Sequence, residues 1–310
     1  MMPKRNRRRV VNGIVLVNKP VGMGSTEAVK QVVKLYSAKK AGHTGTLDPF
    51  ATGLLPVCLG EATKVSAFLL ASDKRYSATL QLGIATDTGD CEGQIIERQR
   101  VPLLTDTLIE QVFSTFVGKI LQVPPMYSSL KFEGKSLHTY ARRGIEIERE
   151  PREVEIMSLT LLRFDASQIE FDVHCSKGTY VRVLGEDIAK ALGTVGHLSA
   201  LHRTQTGVFS ADMMQSFDEI AKYRNTHLLP LDIALSEYEA FYLNDEQKQF
   251  IWAGGFLYDV IPQNPERDTL VRLYNAEKQI FAVGEWQAAK QRLKIKRGFN
   301  LDPTLDSHAQ

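Results

Sequence analysis

The residues of this 310-residue chain best suited to chemistry sit in one short stretch, Gly42-His43-Thr44-Gly45-Thr46-Leu47-Asp48-Pro49. Glycines at 42 and 45 let the backbone take positive φ or pass close to a ligand. Thr44 and Thr46 offer hydroxyls and His43 an imidazole. Asp48 is the only carboxylate between Glu27 and Glu61. A carboxylate held in such a loop can serve as a nucleophile or a general base. The same residues admit two other readings. Asp48-Pro49 fits a helix start, with Asp as N-cap, Pro at the first helical position, and Ala51, Leu54 and Leu55 as the buried stripe. The glycine- and threonine-rich run could also cradle a phosphate, although it lacks the Gly-Lys-Ser/Thr ending of a P-loop and the spacing of a dinucleotide fingerprint.

The elements that must position this loop are legible on either side. Residues 13–17 read as a short buried strand ending in Asn18-Lys19-Pro20, where Pro20 and Gly22 turn the chain. Lys19 lies at that strand–loop junction, a place for a functional group or a solvated lysine. Ser25 can cap a helix over about 26–39, with Val29, Val32, Val33 and Tyr36 on one face and Gly42 as its stop. Beyond the loop, residues 54–60 are apolar and 61–71 read as a helix. Residues 75–83 alternate as a half-buried strand, which makes Tyr76 a core residue or an aromatic facing a cleft. The acidic loop 86–93 reads as a turn rather than a calcium loop. Residues 105–117 form the best amphipathic helix. Two strands follow at 154–164 and 168–175, then a helix at 184–192 with Arg182 near its start, where a surface salt bridge is the plain alternative to function.

Past Leu229-Pro230-Leu231 the character changes to one helix at 244–253 and strands near 269–275, 279–286 and 291–297, a small and mostly β module. A hydrophobic share of 43% with 24% charged residues suits a soluble globular chain of one large or one large and one small domain. No apolar run is long enough to span a bilayer, and a cytoplasmic location is expected. Cys58, Cys91 and Cys175 show no paired spacing, and the seven histidines show no ligand pattern, so neither a disulfide framework nor a metal is expected. The net charge of +2 is uninformative, but its distribution is not. Residues 4–9 carry five cations and no acid, as do residues 286–301 with Lys290, Arg292, Lys294, Lys296 and Arg297. Each end reads as a polyanion footprint or as a solvated tail. Residues 127–152 interleave Tyr127, Phe132, His138 and Tyr140 with lysines and arginines, as single-strand RNA binders often do, while Glu133, Glu146, Glu148 and Glu150 among them make it no pure phosphate patch.

With these pieces assembled, the chain resembles the TruB family of tRNA pseudouridine synthases. The loop 42–49 with Ala51, Thr52, Gly53 and Leu54 is similar to that family's signature. Six further stretches match in order: Asn18-Lys19-Pro20, Leu59-Gly60-Glu61-Ala62-Thr63-Lys64, Lys74-Arg75-Tyr76, Thr86-Asp87-Thr88, Pro124-Pro125-Met126-Tyr127-Ser128, and Lys177-Gly178-Thr179-Tyr180-Val181-Arg182. Leu201-His202-Arg203-Thr204 closes the series. The resemblance implies an α/β (α+β) pseudouridine-synthase fold, a mixed and largely antiparallel sheet flanked by helices. It also implies a small C-terminal PUA-like β-barrel, suggested by residues 271–274 and 283–286. The implied division is a flexible basic arm at 1–11, a catalytic domain at 12–229 and an RNA-binding domain at 230–310.

The implied activity is a cofactor-free isomerisation of uridine 55 in the tRNA T loop to pseudouridine. Asp48 takes the catalytic position, and Arg182 pairs with it. Tyr76 stacks on the uracil, Tyr180 and Leu201 line the pocket, and His43 meets the displaced nucleotides. The partner implied is tRNA, with no protein partner and no membrane. His202, where the family usually has Arg, and His138, where it usually has an aromatic, depart from the pattern; both bear on RNA affinity rather than on the chemistry.

Overall fold

A computed structural model describes residues 8–301. Strand β1 (Gly13–Lys19) is followed by α1 (Ser25–Tyr36), β2 (Ala41–His43) and β3 (Thr52–Leu59). Next come α2 (Ser66–Ala71), β4 (Lys74–Leu82) and a ribbon of β5 (Ile84–Thr86) with β6 (Ile95–Arg98). Then α3 (Asp106–Ser114) leads to β7 (Gly118–Gln122), a hairpin of β8 (Lys131–Phe132) and β9 (Lys135–Ser136), and α4 (Leu137–Ala141). The long pair β10 (Arg152–Phe164) and β11 (Gln168–Cys175) precedes α5 (Val181–Ala191), β12 (Gly196–Thr206), β13 (Phe209–Ser210) and α6 (Phe217–Lys222). The C-terminal part holds β14 (Glu239–Tyr242), α7 (Asp245–Trp252), β15 (Thr269–Tyr274), β16 (Ile280–Gln287) and β17 (Arg292–Gly298).

Nine strands form one sheet in the order β1-β3-β12-β4-β11-β10-β7, with β2 on β3 and β13 on β12. Only the β3–β12 pair is parallel, so the sheet is mixed and largely antiparallel, as the resemblance implies. Alternation in β4 places Tyr76, Ala78, Leu80 and Leu82 inward. They share one core with Val32 and Tyr36 of α1, Ile109 and Phe113 of α3, and Leu184 and Ile188 of α5. The opposite faces of β1 and β3 (Ile14, Leu16, Leu54, Cys58) pack with α2, with Tyr274, Ile280 and Val283 of the C-terminal strands, and with Phe299 just after β17. A separate cluster around Leu273, Trp286 and Leu293 holds the C-terminal strands together.

Local details stand beside the expectations from sequence. The C-terminal strands run as an open four-stranded path, β14-β15-β16-β17, with no closure into a barrel among the described residues. The outer side of β17 is bridged at Leu293 by Leu257, and Gly298 there lies against Trp252 of α7. Residues 1–7 of the basic arm lie outside the described residues. Arg9 is tied to the body: its N–H donates to Ser37 O at 2.7 Å, and its carbonyl accepts from Lys39 N at 2.9 Å. The junction near Leu229 is also bonded, exchanging two backbone hydrogen bonds with Ile14 at 2.8 and 2.9 Å. The expected helix at 61–71 breaks into a 3-10 turn, Gly60–Lys64, and α2. There the Thr63 and Ser66 hydroxyls donate to Gly60 O and Thr63 O, competing with helical bonding. Helix α1 ends at Tyr36 through Ser37 in the left-handed region, not at Gly42. Among the described residues no helix is long and apolar enough to cross a membrane.

Candidate active site

The loop 44–51 joins β2 to β3, and no helix follows Asp48. The N-cap reading therefore fails; Ala51, Leu54 and Leu55 are buried, but the latter two lie on a strand. Gly53 explains the local path. Its φ is +98°, and a Cβ there would strike the backbone of Arg203 on β12. Only glycine lets the two strands approach this closely with that backbone.

Three side chains fix the loop. Ser25 does not cap α1; Gly24 holds that place. Instead the Ser25 Oγ donates to Leu47 O at 2.8 Å and accepts from Leu47 N at 2.7 Å, a two-way latch on the residue before Asp48. Lys19 is fully buried, which overturns the solvated reading. Its Nζ donates to Met23 O at 2.6 Å, Pro20 O at 3.0 Å and Pro49 O at 3.4 Å. Burial lowers the Lys19 ammonium to about 8, opposed by the charge of Asp48. Arg203, also buried, donates from Nε to Leu54 O at 2.7 Å and from Nη2 to Gly45 O at 3.2 Å.

Arg182 stands in the first turn of α5, and its side chain is only 5% exposed, so it is no surface ion pair. Its Nε lies 3.0 Å from Asp48 Oδ2, and its Nη1 lies 3.4 Å from Asp90 Oδ2. Nη1 donates to Thr88 O and Nη2 to Tyr127 O, both at 2.7 Å. One guanidinium thus joins three loops. Asp90, buried, is braced by Thr88 Oγ1 at 2.7 Å and by Glu92 N at 3.0 Å. Sequence reasoning missed Asp90 because Asp87 and Glu92 in the same turn are equivalent to it by type. It also missed Gln122, whose amide accepts from Tyr180 N at 3.1 Å and donates to Tyr180 O at 3.3 Å.

A cleft of about 350 Å³ brings together all six residues singled out from sequence: His43, Asp48, Tyr76, Tyr180, Arg182 and Leu201. Asp48 is the only carboxylate among the lining residues. Its pKa is raised above the ordinary carboxylate value, first by burial. Arg182 opposes that shift, Asp90 adds to it and Lys19 opposes it. Tyr76 is buried on β4 and also faces the cleft, so both readings of it hold. Burial raises the phenols of Tyr76 and Tyr180, and burial with the neighbouring Arg203 lowers His43, which favours its neutral imidazole. His202 shares a 2.8 Å hydrogen bond with Thr52 across the parallel pair, and His138 Nδ1 contacts Ser128 O at 3.1 Å. A carboxylate 35% exposed beside a buried guanidinium, walled by two tyrosines and a leucine, can hold a planar base against a nucleophile without supplying a second acid. Among the described residues no group of three or more histidine, cysteine or acidic side chains is placed to hold a metal ion.

Comparison with known proteins agrees with this geometry. Residues 33–181 match the model of the TruB family pseudouridylate synthase N-terminal domain. Residues 182–236 match that of the tRNA pseudouridylate synthase B C-terminal domain. The tRNA pseudouridine synthase B of Hydrogenovibrio crunogenus is 54% identical over 299 residues, 96% of this chain and 97% of that one. The same-named protein of Neisseria meningitidis serogroup B is 43% identical over 298 residues, 95% and 96% of the two chains. A chain of a Cbf5-Nop10-Gar1 complex superposes with a TM-score of 0.70 at 23% identity, covering 96% of this chain and 88% of that one, which shows a shared fold. By these matches the chain belongs to the TruB family of pseudouridylate synthases.

Proposed function

We propose that this chain isomerises uridine 55 in the T loop of tRNA to pseudouridine, with Asp48 as the catalytic residue. The observation that carries the reading is the single carboxylate of the cleft, held 3.0 Å from a buried guanidinium. The reaction breaks the bond from uracil N1 to ribose C1′, turns the base and joins C5 to C1′. N1 gains a hydrogen and C5 loses one, so the change is internal to the nucleotide. Three steps are open to a carboxylate here: attack on the base, attack on the sugar, or removal of a ribose proton.

The remaining residues receive positioning roles. Arg182 opposes the burial cost of an ionised Asp48. Tyr76 offers its ring to the uracil, Tyr180 and Leu201 wall the pocket, and a neutral His43 meets the displaced nucleotides. Extruding the base costs roughly a few kcal/mol, which stacking and pocket contacts must offset. The reading assigns catalysis to residues 12–229 and RNA contacts beyond the loop to residues 230–310. The basic strand β17 contributes less to such contacts than its sequence implies. Lys294 and Lys296 both pair with Glu285, at 2.8 and 2.6 Å, and Arg292 stacks 3.6 Å from the Phe256 ring centre. Incubating tRNA transcript with the protein and mapping pseudouridine by position tests the assignment; product at another position, or none, would refute it.

A further inference from the structure

The basic N-terminal stretch and helix α1, separate in sequence, meet in the fold. The backbone of Arg9 sits between Ser37 and Lys39, bonded at 2.7 and 2.9 Å. This sets Arg8 beside the C-terminal half of α1. The result is a groove of about 490 Å³ whose cations are Arg8, Lys30, Lys34 and Lys39, over an apolar floor of Val29 and Val33. No acid lines it, and among the described residues no ion pair engages any of the four. All four are exposed.

A solvated helix face does not account for this arrangement. The dipole at the end of α1 favours Lys34, but not Lys30 or Arg8. Lys30 and Lys34 stand four apart, where like charges destabilise a helix. The lysines of β17 differ, since they carry their own counter-acid in Glu285. Position gives the groove a direction. Ala41 of β2 lines the groove, and His43, two residues on, lines the active-site cleft. On an extended strand those positions are about 7 Å apart. β2 pairs only with β3 among the described strands, and its three residues, which span from the groove to the cleft, are all partly exposed.

We propose that this groove is a phosphate-binding track for the substrate RNA, holding the backbone that leaves the active-site cleft past His43. The proposal rests on the reading above that the substrate is RNA, and it adds a binding site outside the cleft. Lysine and arginine over an apolar floor suit phosphodiester groups, with the lysine stems lying along the valines. Such contacts position the RNA and carry no base specificity.

The test compares three variants by the affinity of full-length tRNA transcript across a potassium chloride series. Lys30→Ala/Lys34→Ala/Lys39→Ala removes the track. Lys30→Arg/Lys34→Arg/Lys39→Arg keeps its charge. Lys119→Ala/Lys190→Ala/Lys222→Ala changes the net charge equally at exposed positions elsewhere. The alanine track variant should bind about tenfold or more weakly near physiological salt, with the salt slope smaller by about two to three. Its single-turnover rate at saturating RNA should stay within about twofold of wild type, the signature of lost ground-state binding. The arginine variant should bind as wild type does. Unchanged affinity and slope would overturn the proposal. An equal loss in the control, failure of arginine to restore binding, or a fall in the saturating rate would also overturn it. Binding is read without pseudouridine formation, so a failure of the activity assignment is seen separately, as absence of product from the wild-type protein.

Discussion

Asp48 and Arg182 meet where burial and charge work against each other. Burial raises the pKa of Asp48, and Arg182 is the largest opposing influence. The rate at saturating RNA should therefore fall on acidification at a pH above the ordinary carboxylate range. Replacing Arg182 with Met should move that fall to higher pH and cut turnover far more than tRNA affinity. An unshifted pH–rate profile would contradict the pairing. The same change strands the buried Asp90, and removing one partner of a buried pair costs about 3 kcal/mol or more. Thermal unfolding of Arg182→Met should show that loss. Asp48 behaves oppositely in stability. A carboxyl whose folded value is raised favours the folded state only while protonated, so its contribution is present below the unfolded value and fades as pH rises through the folded one. Wild-type stability relative to Asp48→Asn should thus decline across that window and then level off. With no helix starting at Asp48, no cap energy is lost in the variant.

At the scale of elements, the loop is as good as its fastenings. Ser25 holds both polar groups of Leu47, and Ser25→Ala leaves them unpaired in a buried place at a cost of about 1–3 kcal/mol. A lower melting temperature together with reduced turnover is expected; a change in neither would remove the latch from the account. The periodic elements were legible in the sequence. β4, β10, β11, α3 and the three last strands follow from alternation or helical spacing, because burial imposes those periods. What escaped was whatever depends on long-range pairing. The helix start at Asp48-Pro49 is a sound local reading, but β3 draws this segment into the sheet between β1 and β12. Ser25 is a fair cap by type, yet its hydroxyl finds Leu47, 22 residues away. Asp90 and Gln122 owe their importance to neighbours more than fifty residues distant. Asp48 and Tyr76 are assigned to the site through the family resemblance, since spacing alone admits a cap and a core tyrosine as well.

For the whole molecule, the C-terminal strands are more than an appendage. Tyr274, Ile280, Val283 and Phe299 cover the back of β1 and β3. Cutting the chain after Leu229 should therefore lower stability as well as RNA affinity. A truncated protein that melts as the full chain does would show that this interface contributes little.

The central claim is that one carboxylate performs the isomerisation. Its most direct test is position-resolved pseudouridine mapping of tRNA transcript treated with wild-type protein and with Asp48→Asn. Wild-type protein should form pseudouridine at position 55, and the folded, RNA-binding variant should do so at a rate lower by at least about 10³-fold. Product formed by Asp48→Asn at a rate near wild type would contradict the claim.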